Sequence, residues 1–317
     1  MAGSGGSTSD GAGTGGSSGA GGNDGEPDAR KLLLRDEGHS RLHYVDLASP
    51  GDNWSVDVPT GRDLQLVGQR RIMVGTDSGY EERSIDGGAF VSAVTSFPGT
   101  QTAHRLHNRN TLLAGVDWQG DQGIVLVEVD SGGAEVDRVV YSGFSYVRLV
   151  RQTAGGHFLV TADTVVFEGD AEGNVLWSGT LQGHAEPHAW EALPLASGDV
   201  LVSAGYAASL QVFTPPNAAP HLVVSGGDPD PAPFFFADVQ VMPTGNYVVT
   251  NWQGHGTDFG TSGIQLLEYD PAGALVWWWQ QDATFVSSLQ GVIVLDGLDL
   301  DRLEVESAET GMLEPVN

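Results

Sequence analysis

A pattern of four short strands recurs along this chain, and its spacing limits the fold more than any other feature. The clearest copy spans residues 233–280, where ADVQVM, YVVTNW, IQLLEYD and ALVWWW are rich in branched and aromatic residues and are separated by Gly, Pro, Asn or Asp. The short turns between most of these runs make neighbouring strands antiparallel. One such sheet cannot bury both of its faces, so it needs copies of itself on either side.

The second strand of each copy sets the register of the repeat. Equivalent positions are Leu32, Ile72, Leu112, Phe158, Val200 and Tyr247, which are 40, 40, 46, 42 and 47 residues apart by subtraction. This period is typical of a β-propeller with one four-stranded blade per repeat. The first copy lacks an inner strand, and SSLQGVIVLDG at residues 287–297 supplies one. We therefore predict an all-β fold, a six-bladed β-propeller of four-stranded antiparallel blades, closed by a C-terminal strand that completes the N-terminal blade.

The predicted propeller occupies residues 30–297 and leaves a segment at each end. Residues 1–29 are rich in Gly and Ser and predict a disordered tether, while residues 298–317 form a C-terminal extension of undecided structure. The tether resembles the segment that follows the lipidated Cys of bacterial surface lipoproteins. This resemblance implies an export signal upstream and an extracellular, periplasmic or surface-tethered protein. A cytoplasmic protein with an ordinary disordered N-terminus is the alternative.

Charge and composition exclude several kinds of partner. The chain has 14 Lys and Arg against 41 Asp and Glu, a formal net charge of −27. This balance argues against nucleic acid and against anionic lipid, because both are bound by clustered cations. With no Cys there is no disulfide or thiol nucleophile, and with no long apolar run there is no transmembrane segment. The remaining partners are a small-molecule, glycan or peptide ligand, and we expect a monomer.

The inner strands of a propeller line a central channel, and sites usually lie on the face where the loops gather. Aligning the inner strands gives one inward polar residue per blade: Asp63, His104, Arg148, Glu191, Asp238 and Gln290. One interpretation is a hydrated ring of compensated charges. The other is a catalytic site in which His104 is an acid or base and Arg148 holds an anion, with Glu191 and Asp238 in support.

Loops expected on the same face add further candidates. His188, just before an inner strand, joins the candidate catalytic residues, and the longest loop adds Asp258. The candidate substrate-binding residues are Asp63, Tyr80, Asp117, Trp118, Gln119, Trp252 and Gln253. A rim Trp can stack on a ring, although it can equally cap the packing of a blade. A divalent metal is a possible cofactor, with His104, His188 and His255 as its candidate ligands.

The blade sequences DVQVMPTGNYVVTNWQGHG, IQLLEYDPAGALVW and GNVLW resemble two groups of proteins. One is the PQQ-like and NHL-type propeller repeat families, and the other is the arylsulfotransferase-like six-bladed propellers. The resemblance covers about residues 100–295. It implies a propeller, and its arylsulfotransferase-like members imply an inner-strand His that is transiently sulfated beside an Arg. His104 and Arg148 stand at such places, but function depends on the site rather than on the fold.

Two classes of function remain open at this point. The first is an exported enzyme that acts on a small polar or anionic substrate at the channel mouth, with or without a His-ligated metal. The second is a non-catalytic propeller module that binds a glycan, a peptide or another protein on the same face. The sequence contains no Walker loop, Rossmann fingerprint, GxSxG or HExxH motif that would choose between them.

Overall fold

The computed structural model describes residues 29–225, 233–255 and 264–316. Nearly all of the predicted tether, and also Asp258, lie outside these residues. The described chain forms six four-stranded antiparallel sheets and one two-stranded hairpin. In this part of the chain, no helix has the length and apolar character needed to cross a membrane.

The strands follow one another blade by blade. Blade 1 begins with β1 (Lys31–Asp36), β2 (Arg41–Asp46) and β3 (Trp54–Asp57), and blade 2 contains β4 (Leu64–Gly68), β5 (Arg71–Thr76), β6 (Gly79–Ser84) and β7 (Phe90–Val94). Blade 3 contains β8 (Thr102–Arg105), β9 (Thr111–Val116), β10 (Ile124–Val129) and β11 (Glu135–Tyr141). Blade 4 contains β12 (Val150–Gln152), β13 (Phe158–Ala162), β14 (Val165–Gly169) and β15 (Val175–Thr180). Blade 5 contains β16 (Ala189–Pro194), β17 (Val200–Ala204), β18 (Ser209–Phe213) and β19 (His221–Val224). Blade 6 contains β20 (Phe236–Val241), β21 (Tyr247–Asn251), β22 (Leu266–Tyr269) and β23 (Leu275–Trp279). Three strands follow: β24 (Leu289–Val294), β25 (Glu304–Glu306) and β26 (Leu313–Pro315).

The ring closes where the two ends of the propeller meet in blade 1. Strand β24 pairs with β1 as the inner strand, in the antiparallel register that sets Leu32 opposite Val294. The carboxylate of Asp36, at the end of β1, accepts backbone N–H bonds from Ser287 and Ser288 at 2.8 and 3.1 Å. The predicted six-bladed propeller, closed by a C-terminal strand, is confirmed.

The hydrophobic core lies between neighbouring blades, because each sheet buries both faces against the next one. Strands β13 and β21 are buried along their whole length, whereas the outermost strand β15 alternates between buried and exposed residues. Trp177 of β15 packs edge-on against Phe213 of blade 5, with ring centroids 5.6 Å apart. A Cβ at Gly179 would lie 2.4 Å from that phenyl ring, so the close approach of the two blades requires glycine there.

A recurring Asp-x-x-Gly turn joins the third and fourth strands of three blades. In the blade 6 copy, Asp270 accepts backbone N–H bonds from Ala272 and Ala274 at 2.9 and 2.8 Å, and Gly273 has a φ of +83°. The Asp side chain thus replaces missing backbone partners, and glycine supplies the left-handed conformation. The same contacts recur at Asp130 and Asp170.

The C-terminal extension folds into a hairpin, β25–β26, across one end of the ring. Leu303 forms a β-bridge with Val67 of β4, and Met312 forms one with Val241 of β20. Both partners lie at the carboxyl ends of inner strands. The hairpin therefore covers that end of the channel, which we call the closed end, and leaves the amino ends of the inner strands as the mouth.

Candidate functional site

A cavity opens at the mouth, and we call it the mouth pocket. It has about 380 Å³ of space, including its solvent-open entrance, and is lined by Glu37, Arg62, Arg148, His188, Trp190, Tyr206, Phe235, Trp252, His255 and Gln290. The propeller topology explains this gathering. Arg62, Arg148 and His188 lie one or two residues before inner strands, whereas Glu37, Tyr206 and Trp252 lie one or two residues after second strands.

Arg148 enters the mouth pocket, and none of the described residues provides a counter-ion for it. Its guanidinium carbon lies 4.4 Å from the ring centroid of Tyr146 and 5.1 Å from that of Trp190. Its Nε is buried without a hydrogen-bond partner, and no carboxylate of the described residues forms an ion pair with it. Burial, together with the nearby charge of Arg62, lowers the pKa of Arg148 to about 9. The pocket thus holds a desolvated cation.

Arg62 approaches the same indole ring, that of Trp190, with its guanidinium carbon 5.6 Å from the centroid. One of its terminal nitrogens donates to the side-chain oxygen of Gln101, but its Nε has no partner. The indole Nε1 of Trp190 is likewise buried and unpartnered among the described residues. Three buried N–H groups therefore lack an acceptor here, and proteins rarely leave such groups unpaired.

Glu37 is the one carboxylate among the described residues that line the pocket, and it is already engaged. One of its oxygens accepts the indole N–H of Trp252, and the other lies 2.6 Å from Nδ1 of His255. These contacts keep the carboxylate out of ion-pair range of both arginines. The free donors of Arg62 and Arg148 remain available.

Aromatic rings from blades 5 and 6 form one wall of the pocket. Phe235 contacts Tyr206, Trp252 and Trp190 at centroid distances of 4.8, 5.1 and 5.5 Å, each at a steep angle. Such edge-to-face packing fixes the orientation of every ring. The pocket therefore presents an apolar wall beside a pair of cations.

His188 lies at the edge of the mouth pocket with a carboxylate beside it. Its Nδ1 is 3.0 Å from Oδ1 of Asp163, close enough for an ion pair although not aligned as a hydrogen bond. Its ring rests against Tyr206 and Tyr146 at 5.4 and 5.8 Å. A His beside a carboxylate is a residue pair that enzymes use in general acid–base catalysis.

Towards the closed end, Arg151 sits at the centre of a buried charge cluster. Its guanidinium contacts Glu191 at 2.6 Å, Asp63 at 3.0 Å and Glu306 at 2.9 Å. Burial acts to lower the pKa of Arg151, but these carboxylates raise it well above its usual value. Carboxylates thus compensate the charge of Arg151, whereas none of the described residues does so for Arg148.

Glu191 and its neighbour Asp238 are two buried carboxyls of this cluster with raised pKa values. Burial raises the pKa of both carboxyls, and the proximity of Asp238 raises that of Glu191 further, to well above its usual value. Each also accepts a backbone N–H bond, Glu191 from Val239 at 3.0 Å and Asp238 from Val292 at 2.7 Å. These bonds make the cluster a structural centre that links blades 5, 6 and 1.

The C-terminal hairpin contributes Glu306 to this cluster. Its Oε2 lies 3.0 Å from Nε2 of His104, and its other oxygen contacts Arg151. Burial acts to raise the pKa of Glu306, but Arg151 and His104 hold it well below its usual value. Sequence reasoning missed Glu306, because a short LEVE run in an otherwise irregular tail carries no signal for a channel residue.

The predicted site residues fall into three places. Arg148, His188, Trp252, His255 and Gln290 line the mouth pocket, whereas Asp63, His104, Glu191 and Asp238 belong to the buried cluster. Gln253 follows Trp252, and its amide is buried without a partner among the described residues. The remaining four, Tyr80, Asp117, Trp118 and Gln119, lie in blades 2 and 3.

Those four residues make contacts that stabilise their own blades. Trp118 donates to the carbonyl of Pro98 at 3.0 Å, and Asp117 accepts the backbone N–H of Gly123 at 2.8 Å. Gln119 accepts a bond from Arg138 at 2.9 Å, and Tyr80 is buried in the core between blades 2 and 3. None of them lines the mouth pocket, and Trp118 packs in the core between blades 2 and 3.

The three candidate metal ligands are not brought together. His188 and His255 line the mouth pocket, whereas His104 contacts Glu306 in the buried cluster. No group of three His, Asp or Glu side chains in the described ranges is arranged to hold a metal ion. The arrangement therefore adds no support to a His-ligated metal.

The register of the inner strand in blade 4 differs from the one that the sequence suggests. Strand β12 has only three residues, and its buried charge is Arg151, while Arg148 precedes the strand and reaches the mouth. The run VRLVRQ contains both arginines. Its composition therefore indicated an arginine in the channel, but its register did not show which of the two it is. Arg148 therefore lies at the mouth of the channel, and Arg151 takes the inward position expected for Arg148.

Comparisons with known proteins support the fold. No protein-family model and no curated protein matches the sequence. Among solved structures, a protein of unknown function from Bacteroides caccae superimposes with a TM-score of 0.67 at 21% identity, over 83% of this chain and 98% of that one. A likeness at this level of identity shows a shared fold.

Other structural neighbours have different activities. A streptogramin B lyase gives a TM-score of 0.53 at 11% identity, covering 82% of this chain and 86% of the other. Regucalcin from Agrobacterium tumefaciens, a calcium-binding protein, gives 0.50 at 13% identity, covering 83% and 92%. The six-bladed propeller is thus shared with proteins of unknown or varied function.

Proposed function

We propose that the mouth pocket binds a small ligand through an anionic group, a carboxylate, sulfate or phosphate, that is held by Arg148 and Arg62. The observation that carries this proposal is the set of three buried, unpartnered N–H donors around Trp190. Each unsatisfied buried donor costs about 1–3 kcal/mol. A bound ligand would offset this cost by accepting hydrogen bonds from these donors.

The charge balance of the chain strengthens the argument. Carboxylates outnumber cationic side chains by 41 to 14, so the chain has enough carboxylates to pair with every arginine. Most arginines of the described chain have one, among them Arg41, Arg70 and Arg151. Arg62 and Arg148 have none among the described residues, and burial together with repulsion by the charge of Arg62 lowers the pKa of Arg148. An anion between them would relieve that repulsion.

His188 gives the same pocket the means to transfer a proton. With Asp163 3.0 Å from its Nδ1, His188 can act as a general acid or base towards a bound ligand. In this proposal Arg148 orients the anionic group, His188 acts as acid or base, and the buried cluster around Arg151 maintains the shape of the channel. The structural neighbours do not select a reaction, because the fold they share hosts several.

The binding proposal is tested by titrating the protein with inorganic phosphate, sulfate and acetate by calorimetry. We expect at least one of these anions to bind, and Arg148→Gln to weaken it roughly 10–100-fold, since a hydrogen bond to a charged group is worth about 1.5–3 kcal/mol. The matched control is Arg70→Gln, because Arg70 is an exposed arginine paired with Asp86. Equal binding by wild type and Arg148→Gln would contradict the proposal.

The catalytic part has its own test. Carboxylic, sulfate and phosphate esters are screened for turnover, and the His188→Asn variant is compared with wild type on any that react. We expect this variant to lose turnover while its affinity for the inorganic anion stays within about twofold, because His188 is not an anion ligand in this proposal. Undiminished turnover would remove His188 from the chemistry, and a pocket without turnover would be a binding site.

A further inference from the structure

An exposed aromatic ring stands at the rim of the mouth pocket. Phe234 is 51% exposed, although its neighbour Phe235 is almost fully buried. The backbone N–H groups of both residues donate to the side-chain oxygen of Asn251, at 2.8 and 3.2 Å. Asn251 is itself buried, and its amide nitrogen donates to the carbonyl of Ile264 at 2.8 Å. The backbone below the exposed ring is therefore fixed.

The Phe234 ring continues the aromatic wall of the pocket outward. It packs edge-on against Tyr206, with centroids 5.6 Å apart, and lies tilted at 33° to Trp252 at 6.1 Å. Through Phe235, these rings connect to Trp190, which Arg148 approaches. One continuous aromatic surface thus runs from solvent at the rim to the unpaired cation.

The position of the Phe234 ring beside the mouth pocket indicates which chemical group a ligand would carry in addition to its anion. Single exposed apolar side chains are common and need no explanation. Here, however, the exposed ring does not stand alone on the surface, because it adjoins the concave mouth pocket. A ring-sized group that lies on this surface would have its substituent pointing towards Arg148.

We propose that the ligand of the mouth pocket is an anion attached to a ring with an apolar face, and that this face packs on the surface formed by Phe234, Tyr206 and Trp252. This inference rests on the proposed function and specifies its ligand class. Two kinds of ring share the required chemistry, an aromatic ring and the apolar face of a sugar. In both, a flat apolar face covers the aromatic side chains while the anion reaches the guanidinium.

The test uses phosphates that differ only in what they carry. Inorganic phosphate, ethyl phosphate, phenyl phosphate and glucose 6-phosphate are titrated against wild type, Phe234→Ala and Phe90→Ala. We expect phenyl phosphate or glucose 6-phosphate to bind roughly 3–10-fold tighter than ethyl phosphate, the usual range for a favourable ring contact. Phe234→Ala should abolish that gain and leave inorganic phosphate unchanged. Phe90, also exposed but on the outermost strand of blade 2, is the matched control.

The outcomes separate this inference from the proposed function. If inorganic phosphate binds in an Arg148-dependent manner but neither ring adds affinity, the ring inference is overturned and the anion site stands. A gain that survives Phe234→Ala also overturns it. If no phosphate binds at all, both proposals fail for this class of anion. Preference for phenyl phosphate identifies an aromatic ligand, and preference for glucose 6-phosphate identifies a sugar.

Discussion

Two arginines only three positions apart illustrate how burial alone does not determine the role of a charge. Arg151 has three carboxylate partners in the buried cluster, whereas Arg148 has none among the described residues. A buried ion that lacks a partner destabilises the fold, while removing one partner of a compensated group is costly. Two arginines in one short segment therefore differ in whether the described chain compensates their charge.

Replacing Arg148 by Met is expected to stabilise the protein. The change removes a desolvated charge but keeps an unbranched apolar side chain against Tyr146 and Trp190. We expect a gain of about 1 kcal/mol in the free energy of unfolding, measured in urea, together with loss of anion binding. Arg151→Met should instead lose roughly 3–5 kcal/mol, because it leaves buried carboxylates unpaired. A loss of stability in Arg148→Met would show that the cation–π contacts outweigh the desolvation.

Glu191 should make the protein less stable as the pH rises. Its pKa in the folded protein is raised above the ordinary value of 4.5, so its contribution is complete below pH 4.5 and declines as the pH rises towards the folded pKa. Each unit of difference corresponds to about 1.4 kcal/mol. The variant Glu191→Gln should show a smaller decline in unfolding free energy between pH 5 and pH 8, whatever its absolute stability. Asp57→Asn, at an exposed acid, should keep the wild-type slope.

Among the elements, regular inner and second strands could be predicted because their apolar runs are long and their turns carry Gly, Asn or Asp. Strands β21 and β24 are examples, each fully buried and bounded by such residues. Strand β12 has only three residues, too few for alternation to fix which arginine faces the channel. Here the register was set by contacts with other blades.

The candidate site was predicted only in part for the same reason. Trp252 and His188 stand in loops whose place follows from the repeat, so they could be identified. Glu37, Tyr206 and Phe235 are ordinary residues in their local sequence and become pocket residues only when blades 1, 5 and 6 meet. No short sequence motif predicts such contacts between distant parts of the chain.

The C-terminal hairpin is expected to stabilise the whole ring from its closed end. Glu306 joins it to Arg151, 155 positions earlier, and the backbone carbonyl of Glu304 accepts a bond from Gln65 at 3.0 Å. We expect Glu306→Gln to lower the unfolding free energy by roughly 1–3 kcal/mol, since it weakens a buried charge-assisted bond. The control is Glu314→Gln, at an exposed acid of β26. Thermal unfolding followed by circular dichroism measures both, and equal melting temperatures would show that the hairpin is only loosely attached.

For the whole molecule, stability depends on a ring that closes through blade 1 and carries a large negative charge. The net charge of −27 at neutral pH makes the folded state repel itself, and this repulsion diminishes as the pH approaches the pI of about 4.3. The raised pKa values of Glu191 and Asp238 act in the same direction. Both effects favour a mildly acidic optimum.

Asp36 sets the limit of that optimum on the acid side. Burial acts to raise its pKa, but contacts with His43, Ser287 and His39 lower it to about 2. Its contribution is therefore complete above its ordinary value of 3.8 and is lost as the pH falls towards 2, at a cost of about 2 kcal/mol. Protonation would also weaken the contact that joins β1 to the chain entering β24.

We accordingly expect the unfolding free energy of the protein to be highest between about pH 4 and pH 5, and to fall on both sides. Urea titrations followed by circular dichroism at low protein concentration, from pH 2.5 to pH 8, would measure this profile. Asp36→Asn should flatten the acid side and Glu191→Gln the neutral side, because each removes the group that titrates there. A wild-type profile that is flat from pH 5 to pH 8 would mean that water reaches the buried carboxyl pair and that the closed end of the channel is open.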